Sequence, residues 1–367
     1  MTTQPVQTEL GQLIATRQII VVMGSGGVGK TTTATAMAIS AAMLGRRVAL
    51  LSIDPAQRLA EALGISLDGQ FKKVESSSWP GELWVSMLDC KGVFDDMVRR
   101  SAPSPQGASK ILEHPLYKAA SHNFSGPLEY MALAQLDKIS LTKSYDLIIL
   151  DTPPDRHAVD FLVRPNVLAG FLDNKVLPWL LKPVASAGKF GLGKMIAISE
   201  RLMGGIASIS GWQSLQVLAD FVILIQDVID GFHKSGERVI HLLRQPTTAF
   251  VLTTQPTAEA IRGSRLLHET LLEIGFTPSH TVINRCFSSP LASALDRLPE
   301  TASHDGLSCL QARRRIERQA IEELNSRSGQ APISWCTLEE QEQSPVGLDP
   351  LLQMARKILW KTPPSNL

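Results

Sequence analysis

Nine consecutive residues, Gly24-Ser-Gly-Gly-Val-Gly-Lys-Thr-Thr32, carry the densest chemistry in this 367-residue chain. Gly24, Gly29, Lys30 and Thr31 complete the spacing G-x-x-x-x-G-K-[ST]. Residues without side chains let backbone N–H groups turn inward around a polyphosphate. The lysine reaches the β- and γ-phosphates, and the threonine hydroxyl ligates Mg2+. Short glycine strings also form turns that bind nothing, so context decides. Arg17 to Met23 reads as a short buried strand, and Thr31 to Leu44 as an Ala/Met/Ile-rich helix stopped by Gly45. A strand, a glycine loop and a helix in that order place phosphates on a helix N-terminus.

Three further polar residues close apolar runs. Asp151 follows Leu147 to Leu150 and precedes Thr-Pro-Pro; in a phosphate-loop protein that position supports Mg2+, and the alternative is an ordinary strand-to-helix turn. Asp54 ends the run Arg47 to Ile53. A carboxylate there either orients or activates an attacking water, or caps a helix over Gln57 to Leu63 ahead of Pro55; spacing alone favours neither. Asn284 follows Thr281-Val-Ile283. Its amide offers a donor and an acceptor to a purine edge, and a turn-forming asparagine is the commoner reading of the spacing. No N-K-x-D guanine-reading motif follows a late strand, which favours ATP over GTP. The histidines supply no metal-ligand spacing, and no Ser/His/Asp order stands out.

The elements that must position these residues are strands alternating with helices. Strand readings also fall at Leu83 to Leu88, Tyr145 to Leu150, Ala249 to Thr253 and Ile333 to Cys336. The pattern predicts an α/β fold with a doubly wound, mostly parallel sheet, whose ligand sits outside the carboxyl ends of the strands. The alternation breaks twice. Residues 92–140 and 164–245 hold no clear strand and are expected to form one inserted helical subdomain over the nucleotide edge. Residues 1–91, 141–163 and 246–362 then make the core, with 363–367 a frayed tail. The segment Leu215 to Ile229 is apolar around most of a helix, as expected of buried core, or else of an exposed groove or a subunit interface.

Composition narrows the classes. A net charge of +1 gives no basic surplus for nucleic acid. The basic run Arg313 to Arg315 with Arg318 is interleaved with Glu317, Glu322 and Glu323 and reads as a solvated helix face. Cys90, Cys286, Cys309 and Cys336 are scattered without a C-x-x-C pair, against a zinc site or a disulfide framework. Neither a secretory signal nor a membrane span is read, so a soluble cytosolic protein is expected.

The glycine loop, Ser52-Ile-Asp-Pro-Ala56, Asp151-Thr-Pro-Pro154 and Val282-Ile-Asn-Arg285 occur in the order seen in the ArsA/Get-type ATPases, which the chain resembles from about Ile19 to Leu359. The run Asp151 to Phe161 looks closest to the bacterial anion-transporting ATPase-like branch. The resemblance implies ATP and Mg2+ as ligands. It implies that Gly26, Gly27, Val28, Gly29, Lys30, Thr31 and Thr32 cradle the phosphates, with Lys30 also catalytic and Thr31 on the metal. Asp54 matches the first-switch aspartate that positions the attacking water. Asp151 matches the second-switch aspartate in the Mg2+ shell, His157 a switch histidine, and Asn284 the adenine-reading asparagine.

Relatives work as two units face to face, so the resemblance implies a homodimer or a heterodimer with a paralogous ATPase. Helical subdomains would then open and close an apolar surface for a client or membrane-associated partner. Three departures qualify this. Ser25 stands where the family usually carries a signature lysine, so slow hydrolysis is expected. The zinc-clasp cysteines of eukaryotic delivery factors are absent, and no cysteine cluster suits arsenite. Two alternatives stay open: a nucleotide-gated scaffold that barely turns ATP over, and a MinD/ParA-like regulatory ATPase. The second wants a basic patch or a terminal amphipathic helix, and Leu351 to Trp360 is short with only Arg356 and Lys357 basic.

Overall fold

The computed structural model describes residues 7–53, 58–115, 117–118, 128–153, 159, 162, 209–298, 305–325, 334–341 and 347–361. The chain divides into two compact units. One comprises Met1–Asp89, Lys138–Asp160 and His241–Leu367, the other Cys90–Asp137 and Phe161–Ile240. The elements in chain order are α1 (Glu9–Thr16), β1 (Ile19–Met23), α2 (Lys30–Met43), β2 (Arg47–Ser52), α3 (Arg58–Leu63), β3 (Lys72–Val74) and β4 (Glu82–Met87). Next come α4 (Cys90–Ser101), α5 (Pro105–Glu113), α6 (Leu128–Thr142), β5 (Leu147–Asp151) and α7 (Ile209–Leu243). The chain continues through β6 (Thr248–Thr254), α8 (Ala258–Glu273), β7 (Pro278–Cys286), α9 (Ser289–Arg297), α10 (Asp305–Asn325), β8 (Trp335–Glu339) and α11 (Leu348–Leu359).

The first unit is built on an eight-stranded sheet in the order β3-β4-β2-β5-β1-β6-β7-β8. All neighbours run parallel except β3 and β4. From β1 the chain crosses to β2, beyond β5; from β5 it later returns to β6 on the other side of β1. The winding therefore reverses at β1, and the crevice outside the carboxyl end of that strand is where such sheets hold ligands. β1, β5 and β6 are buried along their whole lengths, as continuous apolar runs between two helical layers should be. Ile20, Val22, Leu147, Ile149, Ala249 and Val251 join one core cluster with α1, α2 and α11. The alternating residues Ile19, Val21, Ile148, Leu150, Phe250 and Leu252 are equally buried and belong to the opposite face.

Helix α2 is the floor of the site. It starts where Gly29 takes a left-handed φ of 92° and is buried at every residue except Thr32. Its Ala, Ser and Thr side chains let it lie close to its neighbours. Ser40 Oγ donates to the carbonyls of Ala36 (2.7 Å) and Ala355 (3.1 Å), so the buried hydroxyl is satisfied. Two elements are not anticipated from the sequence pattern. Helix α1 is capped by Thr8, whose side chain accepts from Gly11 N. The short antiparallel β3, with Lys72 and Lys73, forms a charged edge of the sheet.

In the second unit, Ser104 caps α5 with Pro105 in its first turn. Phe94 stacks on Tyr117 at 5.4 Å and meets Phe232 at 5.5 Å. The buried Asp137 of α6 accepts from Ser235 Oγ at 2.6 Å and from Arg238 Nε and Nη2 at 2.9 and 2.6 Å, tying α6 to α7. On α7 the buried stripe runs Val228, Phe232, Ser235, Val239. Ile225 and Ile229 are only half-buried and Ile223 is 48% exposed, so the side chains described on this helix, from residue 220 on, make it amphipathic there rather than apolar all round. The side chains of Leu215, Leu218 and Val222 lie outside the described residues, as does the stretch 163–208. Among the described residues no helix is long and apolar enough to cross a membrane.

Candidate functional site

The phosphate loop is wedged between the ends of β6 and β7. A Cβ at Gly24 would stand 2.1 Å from the Thr253 carbonyl oxygen, and one at Gly29 would stand 2.2 Å from Asn284 Nδ2. Only glycine fits either place. Two side chains grip the loop by its carbonyls: Gln255 Nε2 donates to Gly27 O at 3.0 Å, and Asn284 Nδ2 donates to Val28 O at 2.9 Å. In a planar trans peptide the N–H points opposite its carbonyl, so these grips turn the Val28 and Gly29 N–H groups away from Gln255 and Asn284. Lys30 Nζ arches back to Ser25 O at 2.8 Å. At the exposed Gly27 a Cβ would meet nothing within 4 Å.

At the foot of α2 three oxygens meet. The carboxylate of Asp151, 1% exposed, accepts through Oδ2 from Thr31 Oγ1 at 2.7 Å and from Ser52 Oγ at 2.9 Å. Thr152 Oγ1 donates to Val22 O at 2.9 Å and pins the end of β5 to β1. A hydroxyl and a carboxylate beside a glycine loop are hard oxygen donors that suit Mg2+. Among the described residues no three His, Cys, Asp or Glu side chains cluster; a cation here would share its shell between the protein and phosphate oxygens, as Mg2+ commonly does. The residues fit both groups.

Thus the structure brings together Gly26 to Thr32, Asp151 and Asn284. Asp54 and His157 lie outside the described residues. Asn284 is 5% exposed and its amide braces the loop, a contact that the reading of an edge-pairing or turn-forming asparagine does not foresee. Two site residues escape the sequence reading. Ser52 is the sole hydroxyl closing the apolar run of β2, and Gln255 follows β6 directly; polar residues at carboxyl ends of strands are the signal that finds them.

The basic run on α10 is not simply a solvated face. Glu317 is 2% exposed and accepts from Phe287 N at 3.0 Å, while Arg314 donates to Glu317 at 2.7 Å and pairs with Asp296. Arg313 lies over the Phe287 ring. These side chains fasten the exit of β7, which carries Asn284. On the same strand, burial lowers His280 to about 4 and pushes the Cys286 thiol up to about 12, leaving a neutral ring and an inert thiol.

A profile of the anion-transporting ATPase family matches residues 17–360. The chain belongs to the anion-transporting ATPase family. The ArsA/Get-type resemblance and the expected mostly parallel sheet are both borne out. ATPase GET3 of Malassezia globosa is 30% identical over 185 residues, 50% of each chain. ATPase GET3 of Podospora anserina is 32% identical over 149 residues, 41% of this chain and 43% of its own. ATPase get3 of Aspergillus terreus is 31% identical over 150 residues, with the same coverage. The chain spans about half the length, or less, of these curated relatives. In this member of the anion-transporting ATPase family, the glycine loop, Thr31 and Asp151 meet at the reversal point of the sheet.

Proposed function

We propose that this protein is an ATP-binding and ATP-hydrolysing dimeric switch of the ArsA/Get type. It couples nucleotide state to a helical subdomain, residues 92–140 and 164–245, that handles an apolar client or a membrane-associated partner. The observation that carries this reading is the joint of Thr31, Ser52 and Asp151 beside a glycine loop gripped by its carbonyls. Mg2+ bound with ATP neutralises charge that develops on the phosphates; Thr31 and Asp151 are the residues to hold it. Lys30 leaves the Ser25 carbonyl for the β/γ-phosphates, and Asp54 orients the attacking water. Because Asp151 bonds to both Thr31 and Ser52, the contents of the loop are reported to the ends of β2 and β5, where the two switches begin. His157 carries that change onward.

Ser25 favours the second reading, a nucleotide-gated scaffold paired with a paralogue. The serine is half-buried, with its Oγ only 2.8 Å from where a Cβ on Gly263 of α8 would stand, and it brings no charge to the loop. Slow turnover is therefore expected. Phosphate release by the purified protein tests both readings. Wild type is expected to show slow, Mg2+-dependent release that Lys30→Ala abolishes and Ser25→Lys accelerates. Release equal in wild type and Lys30→Ala overturns hydrolysis at this site. Release unchanged in Ser25→Lys overturns the explanation from the missing lysine.

A further inference from the structure

One residue of β7 departs from the strand. Arg285 sits at φ +60°; among the described residues Lys143, in the turn after α6, is the other non-glycine at positive φ. The left-handed region is disfavoured for any residue with a Cβ, and it persists where the surroundings over-determine it. Here they do. Arg313 Nη2 donates to Arg285 O at 3.2 Å, Cys286 Sγ donates to Ile283 O at 3.4 Å, Glu340 N donates to Cys286 O at 2.7 Å, and Phe287 N is held by Glu317. The register of β7 against β8 shifts between Ile283 and Cys286.

In a regular strand residues 284 and 285 would project to opposite faces; a left-handed residue at an irregularity breaks that alternation and re-aims a side chain. Asn284 is buried against the phosphate loop. Arg285 is exposed beside it at the carboxyl edge of the sheet, and its guanidinium bonds to no other described residue. Its neighbours Arg313 and Arg314 are both engaged in fastening the strand.

We propose that Arg285 is a base-binding residue of the nucleotide site, its guanidinium covering one face of the adenine ring at the mouth of the phosphate loop. This rests on the ATP reading above. A planar, weakly hydrated guanidinium lies flat on a π-face, where a lysine ammonium offers only a point charge. The strain held at this position then has a use: it sets the direction in which the Arg285 side chain leaves the strand.

Titration calorimetry on the full chain with Mg2+ tests this, with ADP and inorganic tripolyphosphate as probes. Arg285→Ala is expected to weaken ADP about 3- to 10-fold and leave tripolyphosphate unchanged, with Arg285→Lys losing less than Ala because it keeps a cation over the ring. Arg285→Gly, which relieves the left-handed backbone, is expected to raise Tm by about 1 to 2 °C while weakening ADP by the same factor. Opposite signs in stability and affinity separate a binding role from a structural one. Unchanged ADP affinity in Arg285→Ala, or an equal loss for tripolyphosphate, overturns the stacking proposal alone. Failure of the wild type to bind ADP or ATP overturns it together with the ATP reading.

Discussion

At the residue scale the site depends on places where only one side chain fits. Gly29 combines a left-handed backbone with a forbidden Cβ against the Asn284 amide, whereas Gly27 has the left-handed backbone and open space. Gly27→Ala should therefore cost about 1 kcal/mol from strain alone. Gly29→Ala should cost about 2 to 3 kcal/mol and also weaken ADP binding, because Asn284 can no longer hold Val28 O. Urea midpoints and ADP titrations read the difference, and equal losses for the two variants would contradict the wedge at β7. His280 makes a second residue-scale prediction. Its folded pKa of about 4 lies below the ordinary 6.5, so the unfolded chain binds more protons between those values. Its contribution is complete above pH 6.5 and disappears as pH falls toward 4, on the order of 3 kcal/mol at most. Asp146, Asp296 and Glu339 are also held below their usual range, chiefly by hydrogen bonds to Arg47 (its backbone N–H first), Arg314 and Lys357, and their loss comes at lower pH. Chemical denaturation across pH 7 to 4 should show a slope that His280→Gln flattens; parallel profiles would contradict the assignment.

At the scale of elements, much of the fold is legible in the chain because its strands are unusually plain. β1, β5 up to Leu150 and β6 from Ala249 to Leu252 are unbroken apolar runs, so they stand out, and polar residues of the site follow them. β3 escapes because three residues with two lysines carry no apolar signal; its pairing with β4 makes it a strand. The buried role of Glu317 escapes because charge runs usually face water, and only the fold brings Phe287 N to it. Asn284 as a brace escapes for the same reason: its partner, Val28, is 256 residues distant in sequence. The joint between α6 and α7 likewise needs the fold. Arg238→Ala should leave the buried Asp137 carboxylate short of two donors and cost about 2 kcal/mol, the arginine being half exposed. Adding Asp137→Asn should recover part of that loss, since a neutral amide needs no counter-charge. A denaturant series on the two single variants and the double reads the coupling, and strictly additive costs would contradict it.

At the scale of the whole molecule, the chain passes between its two compact units four times: between residues 89 and 90, within α6, between residues 160 and 161, and within α7. α6 carries Asp137 in one unit and leads into β5, whose last residue is Asp151; α7 carries Arg238 and leads into β6, which abuts Gly24. A nucleotide-driven change at the loop would thus have continuous helices, α6 and α7, as two of its four covalent routes into the second unit, as the proposed switch requires. Amide hydrogen exchange of the full chain, with and without Mg2+ and a slowly hydrolysed ATP analogue, tests this most directly. Exchange in residues 90–137 and 161–240 should change on nucleotide addition in the wild type and stay unchanged in Lys30→Ala. An identical pattern in the wild type with and without bound nucleotide would contradict the switch.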